Sequence, residues 1–263
     1  MTIQRRQPGL YGRKMGVSEI GSQFPLESYL TAPLPLFTGA QDFTSGVAQW
    51  GMLGNDTEGD CPFAGRVHYD MGNAWLAKEE PVGNIAASCW PTAAQVVAAY
   101  LKYDKGQDVG CDLGEVLVYW LTNPLANLKP IGGFAQVSVC EPQFSSALHV
   151  FGGLYTGENI SQEAEDQFSA GEPWTSTATD WVGGHCTDTL ALPDTSKAPD
   201  VPGFGRLITW GADQLFSWPW WQASREEAYV IFTREQMAAP DGIFNGVNVA
   251  QLKVDIRKLH GQF

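Results

Sequence analysis

The stretch Trp50-Gly-Met-Leu-Gly-Asn55-Asp-Thr-Glu-Gly-Asp60-Cys61-Pro62 decides how this chain is read. Asp60 is the type of residue that caps a helix, and Pro62 has the fixed φ that suits a first helical turn. Phe63, Ala64, Val67, Met71 and Trp75 then recur at helical spacing. The pattern predicts a cysteine at the start of a helix ending near Lys78. There the positive pole of the helix dipole favours the thiolate, which is the nucleophilic form. Such a thiol does chemistry when a base can reach it.

The chain has four histidines: His68, His149, His185 and His260. His185 stands in Trp181-Val-Gly-Gly-His185-Cys-Thr-Asp-Thr-Leu-Ala-Leu192, after two glycines and before an extended, β-branched run. A histidine at the start of a strand, far downstream of a cysteine on a helix, is the Cys/His arrangement of cysteine hydrolases. His68 follows Cys61 on nearly the same helix face but about 10 Å along the axis, beyond hydrogen-bond reach. His149 lies in an apolar stretch and reads as a core or helix-surface residue. His260 has no visible partner.

The order of Asn55, the Cys61 helix, Gly184-His185 and then Thr209-Trp210-Gly211 resembles the papain-like cysteine peptidases. It is most similar to a bacterial and phage branch carrying Trp-Gly-Met-x-Gly-Asn-Asp-x-x-Gly-Asp-Cys, Gly-Gly-His and Thr-Trp-Gly. The resemblance runs over about residues 50–256. It implies Cys61 as nucleophile, His185 as general base, and Asn55 in the place of the glutamine whose amide, with the Cys61 N–H, forms the oxyanion hole. It also implies Gly184 and Trp210 as walls of the site. The third polar residue departs from the family: an asparagine is expected before the Ser-Trp-Gly position, and Ile208 stands there. Thr209 is adjacent, but successive strand residues point to opposite faces. Asp188, Thr209 and Asp213, with Asp194, are the candidates for orienting the imidazole. Cys186 is a second departure, since a small apolar residue is usual after this histidine. Cys186 could also meet Cys61 and switch it off as a disulfide.

The chain has 263 residues, of which 44% are hydrophobic and 17% charged, so it can bury a large core and fits one big domain or two lobes. Its net charge of −13 excludes a nucleic-acid surface, because phosphate contacts need Lys and Arg. No apolar run approaches a membrane span, and no secretory signal is visible at the start. Five cysteines without CxxC spacing suggest neither a zinc site nor a disulfide framework, so a reducing compartment is expected. The chemistry implied needs no metal and no cofactor. The location expected is cytoplasmic or virion-associated.

Charge is unevenly spread. Arg5, Arg6, Arg13 and Lys14 make the first 14 residues basic, a solvated tail or an arm that lies along an acidic surface of its own or of a neighbour. Residues 158–180 carry Glu158, Glu163, Glu165, Asp166, Glu172 and Asp180 against no Lys or Arg. Read as a loop bordering the site, this segment would favour basic or polar substrates.

Residues 1–49, with Pro25, Pro33 and Pro35, read as an extended N-terminal arm, a propeptide or an assembly element. Residues 50–263 read as the papain-like domain, helical over about 50–152 and sheet over about 153–263. Further helices are predicted over 91–103, 113–121 and from Pro142 through Phe151, and strands over 154–157, 186–192, 206–210 and 227–233. Trp218, Trp220 and Trp221 read as core or groove wall. The fold class is therefore α+β, a helical lobe packed against a β-barrel-like antiparallel lobe with the site between them. The leading function is hydrolysis of a peptide or other amide bond. One alternative is a phage or prophage virion protein that uses an inactive papain-like fold for structure or binding. Its basic arm would meet a virion or homo-oligomeric partner. Another is a Cys-dependent acyltransferase.

Overall fold

In the computed structural model, residues 6–44, 46–78, 89–193 and 203–260 are described. Helix α1 (Cys61–Lys78) starts at the cysteine, and Phe63, Val67 and Met71 on one face are buried. Gly65 and Gly72 let α1 approach the sheet closely. A Cβ at Gly65 would lie 3.3 Å from Cys186 Sγ, and one at Gly72 would lie 3.1 Å from the Leu190 side chain. Helix α2 (Ala93–Tyr103) begins with a complete capping box between Thr92 and Gln95, and buries Val96 and Tyr100. Helix α3 (Leu113–Trp120) is capped by Asp112. Helix α4 (Glu141–Phe151) has Pro142 in its first turn and closes on Gly152 in the left-handed region.

The sheet strands are β1 (Gln41–Asp42), β2 (Gly133–Gln136), β3 (Leu154–Ser161), β4 (Trp181–Leu192), β5 (Phe204–Thr209), β6 (Ala212–Ser217) and β7 (Arg225–Phe232). Their order is β2-β7-β3-β4-β5-β6, with β1 also on β4, and every pairing is antiparallel. β2, from the helical half of the sequence, completes the sheet against β7. Strands β5 and β6 are joined by Trp210 (φ 46°) and Gly211 (φ 68°), a two-residue turn with both central residues at positive φ. Asn245 and Gly246 make the same kind of turn between β8 (Ile243–Phe244) and β9 (Val247–Asn248), and α7 (Val249–His260) follows.

Two elements correct the sequence reading. The acidic segment after Glu158 is not a loop. It completes β3 and then forms α5 (Gln162–Ala170), capped by Ser161, which turns only Ala164 and Phe168 into the core. The start of the chain, described from Arg6 on and so without Arg5, is not a solvated tail. Phe24, Leu26 and Tyr29 are buried around two 3-10 turns, Gly21–Gln23 and Leu26–Tyr29, and the residues before them cross the protein. Trp220 and Trp221, on α6 (Trp218–Ser224), are fully buried. They pack with Phe144 and Trp174 at ring separations of 4.5 and 4.6 Å.

Candidate active site

The loop before α1 is set by backbone that few residues adopt, with Gly51, Leu53 and Gly54 all at positive φ. An antiparallel bridge from Gly51 to Gly211 ties this loop to the β5–β6 turn. Cys61, Asn55, His185, Thr209, Trp210, Cys186 and Ile208 thereby line one small cavity, with His68 also on its wall. His185 lies inside β4, which begins at Trp181, rather than at the head of a strand. Trp210 lies against the His185 ring at 4.6 Å between centroids.

The imidazole is held on one side. His185 Nε2 is 2.7 Å from Thr209 Oγ1, and Nδ1 is buried with no hydrogen-bond partner. Period-two alternation counted against Thr209 in this position. β5 ends at Thr209 and turns at once through Trp210, so alternation does not carry across its last residue. The other candidates lie elsewhere. Asp188 is buried with both carboxyl oxygens unpaired and lies 3.4 Å from the Cβ position of Gly65 on α1. Asp213 pairs with Arg206 at 3.2 Å. Asp194 falls outside the described residues. His68 contacts the Gly51 carbonyl, and His149 stacks on Phe37 at 3.7 Å.

The site is filled by the chain's own start. Leu10 exchanges bonds with Asn55: its N–H donates to the Asn55 carbonyl (2.7 Å), and its carbonyl accepts from Asn55 Nδ2 (2.9 Å). Asn55 Nδ2 also donates to the Glu58 carbonyl. The Gly12 N–H donates to Cys61 Sγ at 3.2 Å, and the Cys186 N–H does so at 3.4 Å. Arg13 N–H donates to the Gly184 carbonyl, while Cys111 bonds to Gly12 and Lys14 on the other side. The Tyr11 ring stands edge-on to His185 and Trp210, and its hydroxyl donates to Glu165. A Cβ at Gly12 would fall 1.6 Å from the Gly59 carbonyl oxygen, so only glycine passes there. What space remains at the site is about 10 Å³, room for no more than about one water molecule.

This closure sets the charge state. Burial pushes the Cys61 thiol up to about 12, against the pull of the Cys186 and Gly12 N–H groups. Burial, with the Arg13 charge, holds His185 down to about 3. Both groups are neutral, and the thiolate expected at the helix start does not form: desolvation outweighs the dipole here. Asp60 does not cap α1 through its side chain. Its carbonyl accepts the Phe63 and Ala64 N–H groups, and its buried carboxyl oxygens have no partner. Burial pushes that carboxyl to about 8; the neighbouring Asn55 eases the shift, but its N–H groups are directed elsewhere.

The sequence reading missed Tyr11, Gly12 and Arg13 as residues of the site. The signal was present in the basic start set against the acidic run from Glu158, and in Gly9 and Gly12, which pass between crowded walls.

No family model matches the chain, and no curated protein does. Its fold is similar to xylellain, a cysteine protease from Xylella fastidiosa, with a TM-score of 0.58 and 12% identity over 89% of this chain and 99% of that one. It is also similar to proCathepsin B S9 from Trypanosoma congolense, with a TM-score of 0.56 and 11% identity over 84% of this chain and 85% of that one. The fold is thus the papain-like α+β fold.

Proposed function

We propose that the chain is a papain-like cysteine hydrolase of peptide amide bonds, seen in a latent, self-occupied state. One observation carries this: Asn55, Cys61 and His185 line a single cavity, and a peptide, the chain's own residues 9–14, lies across it. When that segment leaves, water enters and the burial that keeps the pair neutral is relieved. The Cys61 proton passes to the free Nδ1 of His185, while Thr209 holds Nε2. The thiolate attacks the substrate carbonyl carbon, and the oxyanion takes the Asn55 N–H that Leu10 now occupies. Imidazolium then protonates the leaving amine, and water hydrolyses the thioester.

Gly12→Ala tests this, since the added methyl cannot fit beside Gly59 and must lift the segment. New amino termini in a protein digest should appear at least about ten-fold faster than with the wild-type chain. They should vanish when Cys61→Ser is added. Equal rates for Gly12→Ala with and without Cys61→Ser would end the hydrolase reading. That outcome would favour the second reading, a non-hydrolytic virion module, which draws on the same plugged and neutral site. Sedimentation of the intact chain would then be the next measurement.

A further inference from the structure

The Arg13 side chain is fully buried beside the site, in a pocket whose far wall is acidic. Its Nε donates to the His185 carbonyl (3.1 Å). Nη1 reaches Glu227 Oε1 (3.2 Å) and two carbonyls of its own segment, Lys14 and Gly16. Nη2 reaches the Glu158 carbonyl (3.2 Å), Asn159 Oδ1 (2.9 Å) and the Glu226 carboxylate. All three guanidinium nitrogens are engaged, as a planar fork requires. The pocket exists because β3 carries glycine at its centre. A Cβ at Gly157 would lie 2.8 Å from Arg13 Cδ and 3.1 Å from Nε.

The acidic wall is held by groups other than Arg13. Tyr229 donates to Glu227 Oε2 at 2.5 Å, and Thr187 donates to both Glu158 carboxyl oxygens at 3.0 Å. Removing Arg13 would leave Glu227 buried without its cation, which is strongly unfavourable for the ionised carboxylate. The location is equally specific. One residue back, the Gly12 N–H meets Cys61 Sγ; at Arg13 itself, the N–H meets the Gly184 carbonyl next to His185. A clamp for the arm alone could sit anywhere on the surface. This one opens beside the sulfur and grips the backbone of the histidine.

We propose that Gly157, Glu158, Asn159, Glu226 and Glu227 form the specificity pocket of this site, built to take an arginine side chain of a peptide lying across Cys61, with Arg13 as its resident surrogate. The proposal rests on the hydrolase reading above and names its substrate class: peptides with arginine within one residue of the point that crosses the thiol. A substrate arginine would keep the bonds to His185, Glu158, Asn159, Glu226 and Glu227, and would replace only those that Arg13 makes within its own segment. Lysine would place one ammonium where three nitrogens are now used, and would bind less well.

The test uses the full chain carrying Gly12→Ala and, separately, Arg13→Ala, two independent ways of emptying the pocket. Each is treated with short peptide ketones that alkylate a thiol and differ only in arginine, citrulline or leucine; Cys61 adducts are read by mass. The arginine probe should label Cys61 at least about ten-fold faster than its neutral isostere citrulline. Adding Glu226→Gln and Glu227→Gln should remove that preference. Equal labelling by arginine and citrulline, or a preference that survives both glutamines, overturns the pocket and leaves Cys61 as the nucleophile. If no probe labels Cys61 in either variant, the hydrolase reading fails, and the pocket is judged without chemistry. In that case Nα-acetyl-arginine amide must raise the melting temperature of the Arg13→Ala chain more than the citrulline amide does, and equal effects overturn it.

Discussion

Thr209 Oγ1 lies 2.7 Å from His185 Nε2, one residue after Ile208, which stands where the papain-like resemblance leads one to expect an asparagine. The contact favours one tautomer on physical grounds. A proton on Nδ1 would be a buried donor with no acceptor, whereas one on Nε2 has the hydroxyl oxygen to bond. Nδ1 is then left as the free base.

Thr209→Val keeps the shape and removes the acceptor. It should cost about 1–3 kcal/mol in urea unfolding, the penalty of an unpaired buried N–H. In the Gly12→Ala chain it should slow Cys61 alkylation by iodoacetamide about ten-fold, while Thr209→Ser should not. Alkylation that is indifferent to valine would show that the hydroxyl does not orient the ring.

The elements around the site were legible where local signals agreed. The Gly-Asp-Cys-Pro start marked α1, helical spacing over 91–103 and 113–121 marked α2 and α3, and Gly-Gly-His marked β4 but as its head, four residues after the strand begins at Trp181. α5 was read as a loop because it exposes most of its length and shows only two core residues. Thr209 was one candidate among several, with alternation counted against it, because that alternation was carried through a strand end that turns. The arm was illegible for a different reason. Its conformation depends on Asn55, Gly184 and Glu227, which are remote in sequence, and a basic segment matches solvent as well as an acidic cleft until those partners are placed.

Stability should fall as pH rises from about 6.5 to about 8; below that, His185 and His68, held down to about 3 and about 4 by burial, gain stability with rising pH and oppose the carboxyl groups. Burial pushes the Asp60 carboxyl to about 8 and, against the Arg13 charge, Glu158 to about 7; it holds Asp188 well above the usual range. The folded protein keeps these protons while the unfolded chain releases them near pH 4, so their contribution is complete below that value and lost as pH climbs through the folded values. A loss on the order of 2–4 kcal/mol between pH 6.5 and pH 8 is expected. Urea midpoints at the two pH values check it, and Asp60→Asn should shrink the difference. A wild-type midpoint higher at pH 8 than at pH 6.5 would contradict the assignment.

No disulfide joins Cys61 to Cys186. Cys61 Sγ accepts the Cys186 backbone N–H, while the Cys186 sulfur packs against Gly65 of α1. All five cysteines are free; Cys89 and Cys140 are exposed, and Cys61, Cys111 and Cys186 are buried. Titration with a chromogenic disulfide should therefore find two fast thiols in the native chain and five in denaturant without reductant. Three in denaturant, rising to five after reduction, would reveal a bridge.

The arm donates four backbone N–H groups into the site: Leu10 to Asn55, Gly12 to Cys61 Sγ, Arg13 to Gly184 and Lys14 to Cys111. Hydrogen exchange should find them protected, since each N–H is hydrogen-bonded and those of Gly12 and Arg13 belong to buried residues. In Gly12→Ala the methyl meets the Gly59 carbonyl, and these amides should exchange at least about ten-fold faster while those of β3 and β4 hold their rates. The contrast separates a segment seated in a formed cleft from one that is part of the core. Were the arm as integral as the sheet, its amides and the sheet's would speed up together as the whole fold loosened, and no substrate could take its place without unfolding the protein.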